Sequence, residues 1–339
     1  MKAYLFESLP ENRVRCHLCN HRCVINEGKR GICAVRQNRS GVLHTLVYEK
    51  VIAQHVDPIE KKPLFHFFPG SLSYSIATVG CNFKCRFCQN ADIAQMPSDR
   101  AGMVIGDSVS AAAIVQAAVS QKCRSIAYTY TEPTVYFELA HAVARKAKEQ
   151  GIYNIFVTNG YMSREALEMI QPYLDAANVD LKAFTDGFYK RYCGAKLKHV
   201  KETLVRMKTA GVFVEVTTLI IPGLNDDPRE LADLASFLVT ALGPDTPWHI
   251  SRFHPTYQLT DRPATPLKTL LTAREIGLKA GLKYVYTGNV PGEEGEKTFC
   301  ASCGKVLIDR WGFAIKRYAI VKGRCPACGA AVDGVFDSR

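Results

Sequence analysis

The sequence has no hydrophobic run long enough to span a bilayer, no dense run of lysine and arginine, and no low-complexity tract. Its most apolar stretch, AAAIVQAAV (111–119), is far shorter than the roughly 20 residues that a transmembrane helix needs. The opening MKAYLFESLPENR contains only a brief apolar patch before charged residues return, which is unlike an export signal. These absences predict a cytoplasmic protein that does not enter a membrane.

Of the 339 residues, 47% are apolar and 22% are charged, which is typical of a soluble globular protein. This composition excludes the disordered, collagenous and coiled-coil classes. The length allows one large domain with small appendages, or two ordinary domains.

The formal net charge of +11 would suit a nucleic-acid partner, but the basic groups GKRG, EKK and KLK are short and scattered. The thirteen cysteines also change the charge if they bind metal. A zinc ion on four thiolates adds −2 and a [4Fe-4S]²⁺ cluster on three thiolates adds −1, so two such zinc sites and one cluster lower the net charge to about +6. We therefore do not expect a nucleic-acid partner.

Eleven of the thirteen cysteines fall into three tight groups. Disulfides are rare in compartments that keep thiols reduced, so metal binding is the better explanation. The groups are Cys16, Cys19, Cys23 and Cys33 near the start, Cys81, Cys85 and Cys88 further on, and Cys300, Cys303, Cys325 and Cys328 near the end. We expect the remaining Cys123 and Cys193 to be small buried apolar residues.

Between the first and last groups, strand-like and helix-like segments alternate. The predicted strands are SYSIATV (73–79), SIAYTY (125–130), IYNIFVT (152–158), NVDLKAF (178–184), VFVEVTTLII (212–221) and WHISRF (248–253). Several of the helical stretches between them end at Gly151, Gly211 or Gly243. A further LTAREIGLKAG helix and KYVYTG strand follow, and the pattern does not settle whether they join the same sheet. The fold class is therefore α/β with parallel strands, as an open, partial (β/α)6 barrel or a doubly wound sheet.

The predicted domain boundaries lie outside this core. Residues 1–70 form a cysteine-rich metal-binding segment that ends in the loop-like PIEKKPLFHFFPGS. Residues 71–288 form the core, and NVPGEEGEKTF reads as a linker. Residues 295–339 form a zinc-ribbon-like module.

The strongest chemical signal is the C-x3-C-x2-C run of Cys81, Cys85 and Cys88, directly after the first predicted core strand. Three thiolates hold three irons of a cubane cluster and leave the fourth iron open to a small molecule, whereas structural zinc sites are closed by a fourth ligand. This motif, with Phe87 before its last cysteine, resembles the radical S-adenosylmethionine (SAM) superfamily. In that superfamily the open iron of a [4Fe-4S] cluster binds the amino and carboxylate groups of SAM.

A second strand end also resembles that superfamily. Glu132, in Tyr-Thr-Glu-Pro, matches the glutamate that contacts the SAM amino group. Tyr130 and Thr131 stand where the superfamily often has two glycines, so the backbone contact with SAM is expected to differ.

Later strand ends resemble the pyruvate formate-lyase activating enzymes. There, residues matching Asp180 and Lys182 contact the SAM carboxylate and ribose; a salt bridge near the barrel rim is the alternative for this pair. Thr158 and Asn159 also match those enzymes, although Val157 stands before them where those enzymes have an aspartate. His254 matches the histidine after the last barrel strand, and a packed or solvated histidine is the alternative.

Over nearly its whole length the chain resembles the radical SAM enzymes of the AmmeMemoRadiSam system, whose genes accompany those of AMMECR-like and Memo-like proteins. The resemblance is carried by C-x-L-C-x3-C with GKRGIC (28–33), VGCNFKCRFCQN (79–90), YTEP (130–133) and the terminal Cys-Gly, LIDR and CPACG motifs. It implies an oxidoreductase-type enzyme that reductively cleaves SAM to methionine and a 5′-deoxyadenosyl radical. This radical then abstracts hydrogen from the substrate.

In the activating enzymes that substrate is a glycyl position of a partner protein. We therefore expect a protein or peptide substrate, with AMMECR-like and Memo-like proteins as candidates, and a one-electron donor.

Two further metal sites are predicted. The C-terminal C-x2-C pairs, each with a nearby glycine (Gly304 and Gly329), are typical of structural Zn²⁺. The four N-terminal cysteines suit either zinc or an auxiliary [4Fe-4S] cluster that covers the barrel mouth. The spacing alone does not distinguish zinc from a cluster, although the nine-residue gap before Cys33 favours zinc. His17 or His21 could replace one of the four cysteines as a ligand.

Two other functions remain open. A radical SAM enzyme acting on RNA would use the basic residues of the C-terminal module, Lys305, Arg310, Lys316 and Arg317, and residues 295–339 would then bind RNA in a salt-dependent way. A non-catalytic metal-bearing scaffold would instead form no 5′-deoxyadenosine from SAM and dithionite.

Overall fold

Short antiparallel strands form an N-terminal module in the computed structural model, which describes residues 1–337. The strands are β1 (Phe6–Leu9), β2 (Arg13–Cys16), β3 (Val24–Ile25), β4 (Arg36–Arg39), β5 (Val42–Thr45) and β6 (Lys50–Val51). The first three make one small sheet, and β4 pairs with β5 as a hairpin. Sheets this small bury little apolar surface, so the module depends on its contacts with the rest of the protein.

An eight-stranded sheet forms the centre of the molecule. The short β9 (Asp107–Ser108) pairs with β6 and lies outside this sheet. The eight strands of the sheet are β7 (Ala53–Pro58), β8 (Leu72–Ala77), β10 (Ser125–Tyr128), β11 (Tyr153–Thr158), β12 (Ala176–Asp180), β13 (Phe213–Ile220), β14 (Trp248–Arg252) and β15 (Val285–Gly288). The spatial order is β15-β14-β13-β12-β11-β10-β8-β7, in which all neighbours are parallel except the antiparallel pair β7 and β8. Within residues 1–337 the two edge strands do not pair, so the sheet is an open barrel.

Helices connect the parallel strands. They are α1 (Ala91–Ala94), α2 (Met96–Asp99), α3 (Ala111–Ser120), α4 (Phe137–Glu149), α5 (Arg164–Ile170), α6 (Asp186–Phe188), α7 (Leu197–Thr209), α8 (Pro228–Phe237) and α9 (Leu267–Lys279), with 3-10 turns at Ile59–Lys61, Pro133–Tyr136 and Glu294–Glu296 and π-helical turns at Tyr189–Cys193 and Leu238–Leu242. Ser110 and Ser163 cap α3 and α5, because each hydroxyl accepts a bond from a first-turn amide. Gly151 and Gly211 adopt φ of +69° and +80°, as the predicted helix stops require. Along residues 1–337, no helix has both the length and the apolar character needed to cross a bilayer.

The predicted partial barrel is confirmed, with two differences. The KYVYTG segment supplies β15, which joins the same sheet and makes seven parallel strands instead of six. The second difference is β7, which lies inside the predicted N-terminal segment and adds an antiparallel edge strand. Its sequence, AQHVDP, is partly exposed and mostly polar, so it lacks the continuous apolar run that identified the buried strands.

The segment after β7 was predicted to be a loop, and it packs against the sheet. Leu64 and Phe67 contact Ala127, Ile155 and Ala176, which are register neighbours on one face of β10, β11 and β12. The opposite face packs against the helices. Two of the three sheet residues are alanines, whose small side chains leave room for the segment. A loop prediction from proline and glycine content cannot detect this packing, because it depends on sheet residues that are distant in sequence.

The C-terminal module contains the antiparallel strands β16 (Thr298–Phe299), β17 (Val306–Trp311) and β18 (Ala314–Tyr318). Arg310 of β17 is only 2% exposed and donates to the Phe65 carbonyl at 3.0 Å and to the Thr298 hydroxyl at 2.7 Å. The Phe68 amide donates to the Val335 carbonyl at 2.8 Å. Buried bonds therefore attach this module to the barrel. The segment that composition marks as a linker is itself held in place, because the buried Glu296 carboxylate accepts from two backbone amides.

Candidate active site

A cavity of about 400 Å³ lies at the carboxyl ends of the parallel strands. Nine of the predicted site residues line it, namely Cys81, Cys85, Phe87, Cys88, Glu132, Thr158, Asn159, Asp180 and Lys182. They come from the ends of β8, β10, β11 and β12. Because the carboxyl ends of parallel strands meet at one edge of a sheet, residues about 100 positions apart in sequence share one cavity.

The cysteine motif begins at a sharp turn after β8. Gly80 adopts φ of +102°, and a Cβ atom there would lie 2.6 Å from the Val35 side chain, so this position requires glycine. The Phe83 amide donates to Cys81 Sγ at 3.4 Å, and Asn159 Nδ2 donates to the same sulfur at 3.8 Å. Donors are thus already directed at the first sulfur of the motif.

The pKa of each thiol in the motif is raised. Burial raises the pKa of Cys81, and the nearby Glu132 carboxylate adds to the effect. Burial also raises the pKa of Cys88 to about 11. For Cys85 the largest cause is a hydrogen bond with the Cys193 thiol, followed by burial. Such thiols are not free nucleophiles at neutral pH, and three of them around one cavity fit a positively charged iron-sulfur centre.

A π-helical turn braces the motif from behind. The amides of Lys84 and Arg86 donate to the carbonyls of Cys193 and Tyr192 at 2.8 and 3.0 Å. Cys193 is fully buried, as predicted. Its contact with Cys85 was not predicted, since the two residues are 108 positions apart and only the fold brings them together.

Glu132 is fully buried and ties the ends of β10 and β11 together. One carboxylate oxygen accepts from the Thr134 amide at 3.0 Å, the Thr134 hydroxyl at 2.5 Å and the Thr158 hydroxyl at 2.8 Å. The other accepts from the Asn159 amide at 2.8 Å. Burial raises the pKa of Glu132, and these bonds oppose that rise. The carboxylate therefore caps the following turn and also orients Thr158 and Asn159 in the cavity wall.

Asp180 and Lys182 form an ion pair in the same wall, with 2.9 Å between Lys182 Nζ and Asp180 Oδ2. Burial alone would lower the pKa of Lys182, but Asp180 and the nearby thiols raise it above its ordinary value. Phe87 is buried against the Phe188 ring and borders the same space. His254 is exposed and is not among the residues that line the cavity, so its assignment rests on resemblance alone.

Comparison with known proteins identifies the family. The model of the radical SAM superfamily matches residues 75–235, which include the cysteine motif and the strand ends around the cavity. An uncharacterized protein of Methanocaldococcus jannaschii is 46% identical over 337 residues, which is 99% of each chain. The chain contains a radical SAM domain.

More distant matches agree with this family. The pyruvate formate-lyase-activating enzyme of Streptococcus mutans is 23% identical over 178 residues, covering 51% of this chain and 67% of that enzyme. The crystal structure of Streptococcus suis SuiB bound to S-adenosylmethionine has a TM-score of 0.52 at 14% identity, covering 72% of this chain and 56% of SuiB. SuiB bound to its precursor peptide SuiA has a TM-score of 0.50 at 15% identity, covering 68% of this chain and 51% of that one. The SuiB structures confirm the fold.

One strand end of this radical SAM core departs from the superfamily pattern. Tyr130 replaces a glycine, yet it adopts φ of +62°, a left-handed conformation that favours glycine. The Asn90 side chain donates to its carbonyl at 2.7 Å, and its hydroxyl bonds to Asp57. Contacts to the backbone and the side chain therefore hold a conformation that glycine would adopt without strain.

The base of the cavity contains residues that sequence reasoning missed. Lys62 is 1% exposed, lines the cavity and pairs with Asp57 at 2.7 Å. Burial lowers the pKa of Lys62 to about 8, and Asp57 opposes this fall. Asp57 lies in β7 and Lys62 in the segment after it, and no strand-end pattern marks them, because Lys62 reaches the cavity only when that segment folds against the sheet.

The four N-terminal cysteines surround a second, smaller cavity, and Asn82 lines it as well. The module docks on the barrel beside this point: the Asn20 amide donates to the Tyr161 carbonyl at 3.0 Å, and the Ser163 amide donates to the Leu18 carbonyl at 3.1 Å. His21 lines the cavity and bonds to the Asn82 carbonyl at 2.8 Å. The group therefore lies next to Cys81, while His17 is not among the lining residues.

The C-terminal cysteines form a compact group in which all four sulfur atoms lie within 4.8 Å of one another. The Cys300 and Cys328 sulfurs are 3.7 Å apart, as are those of Cys303 and Cys325. Four thiolates at about 2.3 Å from a tetrahedral zinc ion would have sulfurs about 3.8 Å apart. The group can therefore bind a metal ion, and its spacing fits zinc.

Proposed function

We propose that the protein is an activase-like radical SAM enzyme that removes a hydrogen atom from a protein or peptide substrate. One observation carries the proposal: the three thiols of the C-x3-C-x2-C motif line the same cavity as Glu132, Thr158, Asn159, Asp180 and Lys182. Three cysteines leave one iron of a cluster for SAM. The other five side chains supply charged and polar groups suited to an amino acid and a ribose.

The protein's own residues would bind and orient the reactants. A [4Fe-4S] cluster bound on Cys81, Cys85 and Cys88 would supply the electron, received from a low-potential one-electron donor, for cleavage of SAM to methionine and a 5′-deoxyadenosyl radical. A substrate hydrogen atom would then move to the 5′ carbon, which would leave 5′-deoxyadenosine and a substrate radical. Lys182 places a fixed positive charge where a carboxylate can bind, and Glu132 keeps Thr158 and Asn159 in place.

Two features support a macromolecular substrate. Phe313, at the tip of the β17–β18 hairpin, lines the cavity and is half exposed, and Trp311 beside it is 60% exposed. Exposed aromatic residues at the edge of an active site suit contact with another protein. The relative named as a pyruvate formate-lyase-activating enzyme supports the same choice. We propose AMMECR-like and Memo-like proteins as the first candidates to test.

RNA modification is less well supported by the C-terminal module. Of the four basic residues considered for RNA binding, Arg310 is buried and bonded to Phe65 and Thr298, so it is not available to a phosphate. The other three of that set, Lys305, Lys316 and Arg317, are exposed. Exposed basic residues are common on small modules and do not by themselves identify a nucleic-acid surface.

Deuterium transfer tests this proposal. We expect the anaerobically reconstituted protein to form 5′-deoxyadenosine from SAM and dithionite, and a fully deuterated AMMECR-like or Memo-like protein to transfer deuterium into it. Undeuterated protein serves as the control, and deuterated cellular RNA is tested in parallel. Deuterium arriving only from RNA would contradict the protein-substrate proposal, and an absence of 5′-deoxyadenosine would indicate a scaffold.

We also propose that the C-terminal cysteines bind one structural Zn²⁺. In the full chain, changing Cys300 and Cys325 together to serine is expected to reduce zinc from about one per chain to near zero and leave iron unchanged. Metal analysis measures both. Cys123→Ser is the matched control, because Cys123 is also buried but belongs to none of the three groups. Loss of iron instead of zinc would contradict this assignment.

A further inference from the structure

The N-terminal thiols are arranged differently from the C-terminal ones. Cys16, Cys19, Cys23 and Cys33 line one small cavity. Within residues 1–337, however, no three of these sulfurs, and no two of them with a histidine nitrogen, come within 4.8 Å of one another. The C-terminal group meets that limit with all four sulfurs. The N-terminal thiols thus share a centre but stand further apart than ligands of a single zinc ion.

Two buried hydrogen-bond donors in the wall of this cavity lack partners. Arg36 is 2% exposed and uses its two terminal nitrogens, bonding to Glu138 at 3.0 Å and to the Tyr4 carbonyl at 2.7 Å. Its Nε has no partner within residues 1–337. Asn82 is 1% exposed, and its Nδ2 likewise has none in the described chain. A buried donor without an acceptor is unfavourable, so both positions call for an acceptor in the cavity.

The orientation of the Asn82 amide follows from its neighbours. The Tyr161 amide donates to Asn159 Oδ1 at 3.0 Å, which directs Asn159 Nδ2 toward Asn82. That nitrogen donates to Asn82 Oδ1 at 2.7 Å, so the oxygen of Asn82 must face Asn159. The unpartnered atom of Asn82 is therefore a nitrogen, a donor like Arg36 Nε.

We infer that Cys16, Cys19, Cys23 and Cys33 hold a second [4Fe-4S] cluster, with Arg36 and Asn82 donating to its sulfur atoms. A cubane binds each thiolate through a different iron, which sets the thiolates further apart than one zinc ion does. Its inorganic sulfides lie between the irons and accept hydrogen bonds, whereas a zinc ion on four thiolates brings no further acceptor. The Arg36 guanidinium also offsets the negative charge that four thiolates give the cluster.

This second site adjoins the first but does not depend on the proposed substrate. Asn82 follows Cys81 in the chain, and its side chain connects the N-terminal cavity to Asn159 in the SAM cavity. Iron content and spectroscopy can therefore test the second cluster even if the enzyme acts on an unexpected substrate.

Metal analysis of three full-length proteins decides between iron and zinc. We expect about eight irons per chain in the anaerobically reconstituted wild type and about four in a Cys81→Ala, Cys85→Ala, Cys88→Ala triple variant, each with about one zinc. Adding Cys19→Ser and Cys33→Ser should remove the remaining iron and leave the zinc. About four irons and two zincs in the wild type would overturn the inference, and that result does not depend on any variant folding. Loss of SAM cleavage with eight irons present would count against the proposed function and not against this site.

The Asn82 donor can be tested through the reduction potential of the remaining cluster. In the triple variant, the reduced cluster should give an electron paramagnetic resonance signal that SAM does not change. Asn82→Asp keeps the acceptor that Asn159 needs, removes the free donor and adds negative charge, so it should lower the midpoint potential. Asn90→Asp makes the same chemical change beside the SAM cavity and should leave the midpoint unchanged. Equal shifts in both variants, or no reducible cluster, would contradict the assignment of Asn82 as a donor to this cluster.

Discussion

Serine in place of any one of Cys81, Cys85 and Cys88 is expected to abolish SAM cleavage. Among residues 1–337, these three cysteines are the ones that line the cavity, and in the proposed function SAM occupies the remaining iron, so the cluster would have no spare ligand. A serine hydroxyl is a poor substitute for a thiolate. We therefore expect loss of the oxygen-sensitive brown colour of this cluster, loss of about four irons per chain and no detectable 5′-deoxyadenosine.

Cys193 provides the matched control, because it is buried beside Cys85 and is the same kind of side chain. Cys193→Ser should retain the iron and the cleavage activity. If Cys85→Ser keeps some activity, the double variant Cys85→Ser, Cys193→Ser shows whether the neighbouring thiol has replaced the missing ligand. Undiminished cleavage in that double variant would remove Cys85 from the site.

The sequence predicted most of the cavity for a geometric reason. In a parallel sheet the carboxyl ends of the strands converge, so chemistry placed directly after several strands must meet at one edge. This reasoning predicted that Glu132, Asn159 and Lys182 lie close together, and in the structure they line one cavity. It did not bring His254 there, since a residue beyond a strand end can turn away into solvent.

The residues that were missed depend on contacts between distant parts of the chain. Lys62, paired with Asp57, reaches the cavity because the segment after β7 packs against alanines of the sheet. Asn82 lies within the cysteine motif and Arg36 in β4, but no pattern marks either as a hydrogen-bond donor to a second site, and their free donors appear only when the N-terminal module docks beside Cys81. Local patterns describe strands and metal-ligand spacing, whereas these four side chains are placed by tertiary packing.

The structure also changes the interpretation of Glu132. A carboxylate has about four acceptor positions, and Glu132 already accepts four bonds from the protein. A SAM amino group therefore has to share the carboxylate with these donors or displace one of them. The two bonds from Thr134 stay within the turn after β10, whereas the bonds from Thr158 and Asn159 connect Glu132 to the end of β11. Glu132 can thus orient the β11 end through Thr158 and Asn159 while its negative charge attracts the SAM amino group.

Glu132→Gln is expected to weaken SAM binding about ten- to a hundredfold, because a hydrogen bond to a charged group is worth roughly 1.5 to 3 kcal/mol. The iron content should remain complete, since Glu132 accepts no bond from a cysteine of the motif in the described chain. SAM affinity and iron content are measured on the same anaerobic preparation. Loss of iron would show that the residue supports the cluster region and is not specific for SAM.

Thr134→Val is the matched control for this prediction. It removes the Thr134 hydroxyl bond to Glu132 but keeps the carboxylate charge and the backbone bond. If the charge attracts SAM, Thr134→Val should change the affinity far less than Glu132→Gln does. If Glu132 is only a cap for the following turn, both variants should bind SAM normally and lose less than about 1 kcal/mol of unfolding free energy. Normal SAM affinity in Glu132→Gln with full iron would therefore exclude Glu132 as a SAM-binding residue.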